Sequence, residues 1–418
     1  MKKIKVLRVG GLNVGSLRFL DFLSSDSVEE LTLVDYEAKS KLFQEIVEGA
    51  KFFNKEKLLD KLKIVKLPDN KTGLQRYVRG ASIRIISRIL LPRRVLTPFF
   101  PELEKINQII KEKRFDVVWV GDNYFDLSNL MFYYIHRTLK KNLALPTIRS
   151  YKESKYKRNS LERYMLSNCE RYIFPHQEYL KFFGTLYNIH LEGLSDFADL
   201  DWRYSELVSW VKNLQVRKLS AEDNRVHVCI LTGIACSVPS GHPDAPRYFY
   251  VPLIEQLVKR GIYVHLHALR ILPSPKGENV YETLSKKTAF FKIEKPLRLV
   301  AGSADYEILR RYDAGLLHMD VPNEAKKLHE FQKINVPNRL YELQMADVVP
   351  IIKKGTLPAT ERIITETNFG IIYENYDDLS DQLNELLKGN LPSRIQREKV
   401  KDFSDFTSVF LDAARKII

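Results

Sequence analysis

The first residues able to do chemistry are Gly10-Gly11-Leu12-Asn13-Val14-Gly15, directly after an apolar run, with Asp35 closing the next apolar run. Glycines so placed let backbone N–H groups approach a pyrophosphate at a helix start, and an acid at the second run's end suits a ribose. The spacing departs from G-x-G-x-x-G, so three readings stand together. One is a tight strand-to-helix turn. The second is a loop whose Gly11 and Asn13 contact a sugar or acceptor. The third is the dinucleotide site of an NAD(P)-dependent oxidoreductase using Gly10 to Asp35.

A second chemical feature is a stretch without acids. Between Asp69 and Glu102 stand Lys71, Arg76, Arg79, Arg84, Arg88, Arg93 and Arg94 and not one carboxylate. Drawn as a helix, Val78, Ile85 and Ile89 share a face that Arg84 and Arg88 flank. Such a face fits an anionic membrane surface, with Arg79, Arg84, Arg88, Arg93 and Arg94 meeting lipid phosphates. It equally fits a core-packed helix with a solvated basic edge. A non-catalytic membrane- or nucleic-acid-binding protein is the remaining alternative. Nucleic acid is disfavoured as a partner, because only Tyr77 and Phe99-Phe100 supply aromatic rings there. A further basic cluster, Arg149, Lys152, Lys155, Lys157 and Arg158, reads as a solvated helix start.

These features need a frame. The chain has 418 residues and a net charge of +14. Residues 1–200 hold 35 Lys/Arg against 24 Asp/Glu and the rest 31 against 28, so the basic excess lies in the first half. No apolar run is long enough to span a membrane, and Met1 to Leu7 reads as a first strand rather than a leader. Cys169, Cys229 and Cys236 form no CxxC pair, which argues against a zinc site or disulfide framework and for a reducing compartment.

Short β-branched runs alternate with helix-length segments. Ile4–Val9, Leu31–Val34, Leu62–Val65, Phe115–Val120, Pro146–Ile148 and Arg171–Phe174 are the strands of a first parallel sheet. After a mixed linker around Trp202 to Glu222 the pattern restarts. Val226–Leu231, ending at Thr232-Gly233, is followed by Tyr263–His267, Phe290–Ile293, Ala314–Leu317, Val348–Ile352 and Gly370–Tyr373. The expected fold class is α/β, two Rossmann-like parallel-sheet domains facing a cleft. Residues 1–205 form the acceptor side, 222–395 the nucleotide-sugar side, and 396–418 a final helix crossing back to the first domain. Ligands of such sheets bind beyond the carboxyl ends of the strands.

Tyr312-Asp313-Ala314-Gly315-Leu316-Leu317-His318, then Pro337-Asn338-Arg339-Leu340-Tyr341-Glu342, Val348-Val349-Pro350-Ile351-Ile352 and Phe369-Gly370-Ile371-Ile372-Tyr373, form the most specific pattern in the chain. This pattern resembles the donor half of GT-B glycosyltransferases of the "glycosyl transferases group 1" family (family 4-like). Phe115–Trp119 and Glu162–Leu180 resemble the acceptor half. The likeness spans most of the chain in outline and is motif-grade from Tyr312 to Tyr373.

That resemblance implies transfer of a sugar from a nucleotide-diphosphate sugar to a lipid-linked or cell-surface glycan acceptor, with no cofactor and no metal. Glu342 would accept the ribose hydroxyls, and Arg339 would hold the diphosphate where the family has Lys. Asn338 opens the helix that carries both, so its N-terminus would face phosphate. Gly233 would let backbone approach the diphosphate, and Arg247 would add a phosphate contact. On the other side, Asp122 is the best-placed acid, as base or acceptor contact, and His318 would contact phosphate or sugar. Two departures from the family pattern stand out. Ile334 occupies the place of the first Glu of E-x7-E, and Met345-Ala346-Asp347 that of the usual A-A-G turn. Asp199-Leu200-Asp201, a D-x-D, lies in the linker, away from any expected metal. The expected location is cytoplasmic, peripheral on the inner membrane face.

Overall fold

The computed structural model describes residues 2–9, 16–35, 40–66, 101–121, 130, 132–136, 144–147, 160–198, 203–239, 248–317 and 332–418. The chain divides into two compact units. Met1–Glu206 with Asp402–Ile418 make the first, and Leu207–Lys401 the second.

Unit 1 is built on β1 (Ile4–Val9), β2 (Val28–Asp35), β3 (Leu62–Lys66), β4 (Val117–Val120) and β5 (Ala144–Pro146), all parallel in the order β3-β2-β1-β4-β5. Val6, Leu7, Val9 and all of β4 are buried, as strands covered on both faces must be. A short parallel pair, β6 (Tyr172–Phe174) and β7 (Ser195–Phe197), continues the sheet through a bridge from Thr147 to Ile173. Its helices are α1 (Phe19–Ser24), α2 (Ser40–Phe52), α3 (Pro101–Lys113), α4 (Ser160–Asn168) and α5 (Gln177–Tyr187). Next, α6 (Ser205–Asn213) begins in unit 1, and its residues Leu207, Val208 and Val211, which belong to unit 2, are buried. Part of the stretch expected to be linker is thus core.

Unit 2 carries β8 (His227–Cys236), β9 (Tyr263–Leu272), β10 (Phe291–Glu294), β11 (Ala314–Leu316), β12 (Val349–Lys353) and β13 (Ile371–Tyr373), in the order β10-β9-β8-β11-β12-β13. All neighbours are parallel. Between the strands run α7 (Val251–Lys259), α8 (Val280–Lys287), α9 (Asp305–Arg310), α10 (Asn338–Met345), α11 (Pro358–Thr367) and α12 (Tyr376–Leu387).

The last helix, α13 (Phe403–Arg415), returns to unit 1. A capping box at Asp402 starts it, and its aromatic stripe buries Phe403, Phe406 and Phe410. Phe406 stacks on Trp119 at 5.3 Å, and Phe410 lies 4.8 Å from Trp119 and 5.2 Å from Phe22. Residues 396–401 stay with unit 2, so the return begins at Asp402 rather than six residues earlier.

The A-A-G departure has a local explanation. Asp347 takes a left-handed backbone, φ +52°, the conformation for which a glycine is the usual choice. Its side chain gains what glycine lacks. Asp347 accepts from Lys212 Nζ at 2.8 Å and Ile395 N at 3.3 Å, and lies 3.4 Å from Arg310. All three charged side chains are nearly buried, so the network stitches the start of unit 2 to its end.

Candidate donor site at the carboxyl edge of the second sheet

The β11-to-β12 crossover ends in α10, and only Ala346 to Val348 separate that helix from β12. In a parallel crossover the helix runs against the strands, so α10 ends at their amino edge and starts toward their carboxyl edge. One close approach seats it. A Cβ on Gly315 of β11 would stand 2.4 Å from Leu343 Cδ2, so the helix rides on a strand with no side chain at that point. Leu340, Tyr341, Leu343, Gln344 and Met345 face inward. Asn338 is left exposed, and Arg339 and Glu342, one turn apart, are half-buried.

Arg339 holds the most informative atom. Its Nη1 is shut away from solvent with no hydrogen-bond partner among the described residues. A buried guanidinium donor left unmet costs free energy, and an anion would remove that cost. The positive charge of Arg339 is felt on β8. Burial pushes the Cys229 thiol up to about 12, and the charges of Lys218 and Arg339 oppose that rise.

Gly233 is placed differently from the sequence expectation. Strand β8 does not end there but runs to Cys236. Pairing with β9 keeps one register from His227↔Tyr263 through Thr232↔Ala268 and Ile234↔Arg270 to Cys236↔Leu272, with only Gly233 and Leu269 unpaired between them. The core-facing series Val228, Ile230 resumes at Ala235, a shift in parity that strict alternation forbids. On its other side β8 pairs with β11 only at Val228 and Cys229. A Cβ at Gly233 would meet nothing within 4 Å among the described residues, and Leu269 beside it is 66% exposed. Backbone with open space beside it therefore stands at the same edge as the start of α10.

Gly11, Asn13, Asp122, Arg247, His318 and the arginines Arg79, Arg84, Arg88, Arg93 and Arg94 lie outside the described residues, as do Asp199 and Asp201. Among the described residues no group of three or more His, Cys, Asp or Glu is arranged to hold a metal ion, and no helix is long and apolar enough to cross a membrane.

Sequence reading missed a buried chain of imidazoles on β8 and β9. His265 Nδ1 lies 3.0 Å from Glu294 Oε1, and its Nε2 lies 3.0 Å from His227 Nδ1. His227 Nε2 reaches both Asp223 oxygens at 3.2 Å. Each ring's outer nitrogen faces a carboxylate, so the proton between His265 Nε2 and His227 Nδ1 can sit on either ring. Burial, with the neighbouring His227 adding to it, pulls His265 down to about 4 against the pull of Glu294. His267 faces the Lys295 carbonyl at 2.6 Å and the Tyr312 hydroxyl at 2.8 Å. The alternation His265-x-His267 in a strand was the available signal.

Two parallel-sheet α/β units, the second with a helix start at its sheet's carboxyl edge, define the class: the chain has the fold of GT-B glycosyltransferases. HepE from Anabaena in complex with UDP is similar over 99% of this chain and 98% of that one, with a TM-score of 0.56 at 10% identity. A glycosyltransferase from Rickettsia africae is similar over 100% and 97%, at 0.54 and 12%. Sucrose-phosphate synthase from Thermosynechococcus elongatus is similar over 99% and 97%, at 0.50 and 10%. No protein-family model matches the chain, and no curated protein matches its sequence.

Proposed function

We propose that this protein is a glycosyltransferase that takes a sugar from a nucleotide-diphosphate donor held at the start of α10. The observation that carries the reading is Arg339: a buried guanidinium donor with no partner among the described residues, in the first turn of a helix, one turn before a carboxylate. A diphosphate meets both the guanidinium and the positive end of the α10 dipole. Glu342 accepts the ribose diol, and the open backbone at Gly233 admits the phosphates. The UDP in the similar HepE supports this reading.

In the transfer, the bond between the anomeric carbon and the β-phosphate oxygen breaks, and the acceptor hydroxyl oxygen bonds that carbon. The nucleoside diphosphate leaves with the bonding electron pair, stabilised by Arg339 and the helix start without a metal. Asp122 is assigned as the base that takes the acceptor proton or as a contact to the acceptor. His318 and Arg247 are assigned to phosphate or sugar, and Gly11 and Asn13 to the acceptor. The acceptor is a lipid-linked or cell-surface glycan, met at the inner membrane face through Arg79, Arg84, Arg88, Arg93 and Arg94.

Calorimetry with a panel of nucleoside diphosphates tests the donor half. One of them binds, and Glu342→Ala weakens it by about 10- to 100-fold, the loss of hydrogen bonds to a charged group. Absence of binding to every member, or quenching of nicotinamide fluorescence instead, overturns the reading.

A further inference from the structure

The chain passes between its units twice, after Glu206 and before Asp402. On the unit 1 side these two passages are tied together. The Phe403 amide donates to the Arg203 carbonyl at 2.9 Å, and Arg203 and Asp402 form a parallel bridge. Asp21 of α1 holds the first passage. It is 5% exposed, and Oδ2 accepts the Ser205 N–H at 2.8 Å while Oδ1 bonds the Ser205 hydroxyl. Ser205 is the first residue of α6, so Asp21 meets one of that helix's free N–H groups from another part of the fold.

Two carboxylates, Asp402 and Glu206, act on Asp21. Glu206 follows Ser205 and is paired with Lys55 at 3.1 Å. Asp402 accepts from Ser404 N at 3.0 Å. Tyr204 presents a buried phenol, and the Arg18 guanidinium lies 5.5 Å from the Phe403 ring. Lys61 is engaged by the Leu23 and Ser25 carbonyls at the end of α1. Burial above all, then Asp402 and Glu206, push Asp21 up to about 7, while the two Ser205 bonds pull the other way.

We propose that Asp21 is a proton-dependent latch on the first passage between the units: protonated, it clasps the start of α6 to unit 1, and ionised, it lets that start detach more readily. The protonated carboxyl keeps both bonds, its O–H donating to Ser205 Oγ and its carbonyl oxygen accepting the N–H, with no buried charge. The ionised form keeps a charge from water, and detachment hydrates it. The clasped state therefore binds more protons than the detached state between an ordinary carboxylate value and Asp21's own. Over that window a rise in pH favours detachment, and above it the effect levels off.

Hydrogen exchange on the full chain between pH 5.5 and 8.5 tests the latch. Protection of the Ser205 amide, corrected for the intrinsic pH dependence of exchange, is expected to fall by up to about tenfold per pH unit and to level off near pH 7. In Asp21→Asn the same amide shows a flat profile. A flat wild-type profile, or the wild-type slope persisting in Asp21→Asn, overturns the proposal. Should that variant fail to fold, Glu206→Gln decides: the levelling point moves to lower pH if Asp21 is the titrating group and stays in place if it is not.

Discussion

Gly315→Ala tests how the donor helix is held. The added Cβ would stand 2.4 Å from Leu343 Cδ2, 2.8 Å from Cδ1 and 3.2 Å from Cγ. Carbon atoms prefer about 3.5–4.0 Å, so either the Leu343 side chain turns or α10 retreats by about 1 Å. Leu343 is 1% exposed and has little room to turn. Overpacking of this kind costs about 1–3 kcal/mol, partly offset by the roughly 0.5–1 kcal/mol gained when a strand glycine becomes alanine. The expected net loss is about 1–2 kcal/mol in urea unfolding. Retreat of α10 carries Arg339 and Glu342 with it, so nucleotide affinity falls as well, by about tenfold. Leu343→Ala alone costs about 2–5 kcal/mol through its cavity. In the double variant the new methyl enters the vacated space, and the two losses sum to about 1–2 kcal/mol less than additivity. Additive losses, or a neutral Gly315→Ala, would refute the close seating of α10 on β11.

Other outcomes follow from the same structure. Asp347→Ala strands Lys212 and Arg310 without their carboxylate and is expected to cost about 3–5 kcal/mol. Asp347→Gly costs about 1–2 kcal/mol less, because glycine accepts the left-handed backbone, and thermal unfolding of the pair checks this. His265 sits below its ordinary value of 6.5, at about 4, so the folded state binds fewer protons there. Its contribution is full above about pH 6.5 and is lost as pH falls toward 4. His265→Asn should flatten that limb of the stability curve, and an unchanged slope in denaturation at pH 7, 6 and 5 counts against the imidazole chain. Arg339→Lys keeps the charge and loses the fork, so nucleoside diphosphate binding weakens by about tenfold while stability is unchanged.

The sheets were legible because parallel strands are continuous β-branched runs. Val117–Val120 and Val349–Lys353 declare themselves by composition, and α10 was legible because Pro337-Asn338 opens it and Asp347 follows it closely. The far half of β8 was not. A glycine after a six-residue run reads as a stop, and only the structure reveals pairing with β9 resuming at Ile234. Asp347 was legible as a departure and not as a replacement, since its partners Lys212 and Ile395 lie far away in sequence. Distance along the chain hid Asp21 likewise: its partner Ser205 is 184 residues away. Arg339 and Glu342 were singled out by pattern, but the burial of Nη1 with no hydrogen-bond partner among the described residues is a property of packing alone.

The most direct measurement is a crystal structure with the nucleoside diphosphate that binds best. A phosphate oxygen is expected within hydrogen-bond distance of Arg339 Nη1, with the ribose hydroxyls on Glu342 and the diphosphate against the Gly233 backbone. A nucleotide seated instead on the Gly10–Gly15 loop, with Arg339 still unmet, would contradict it.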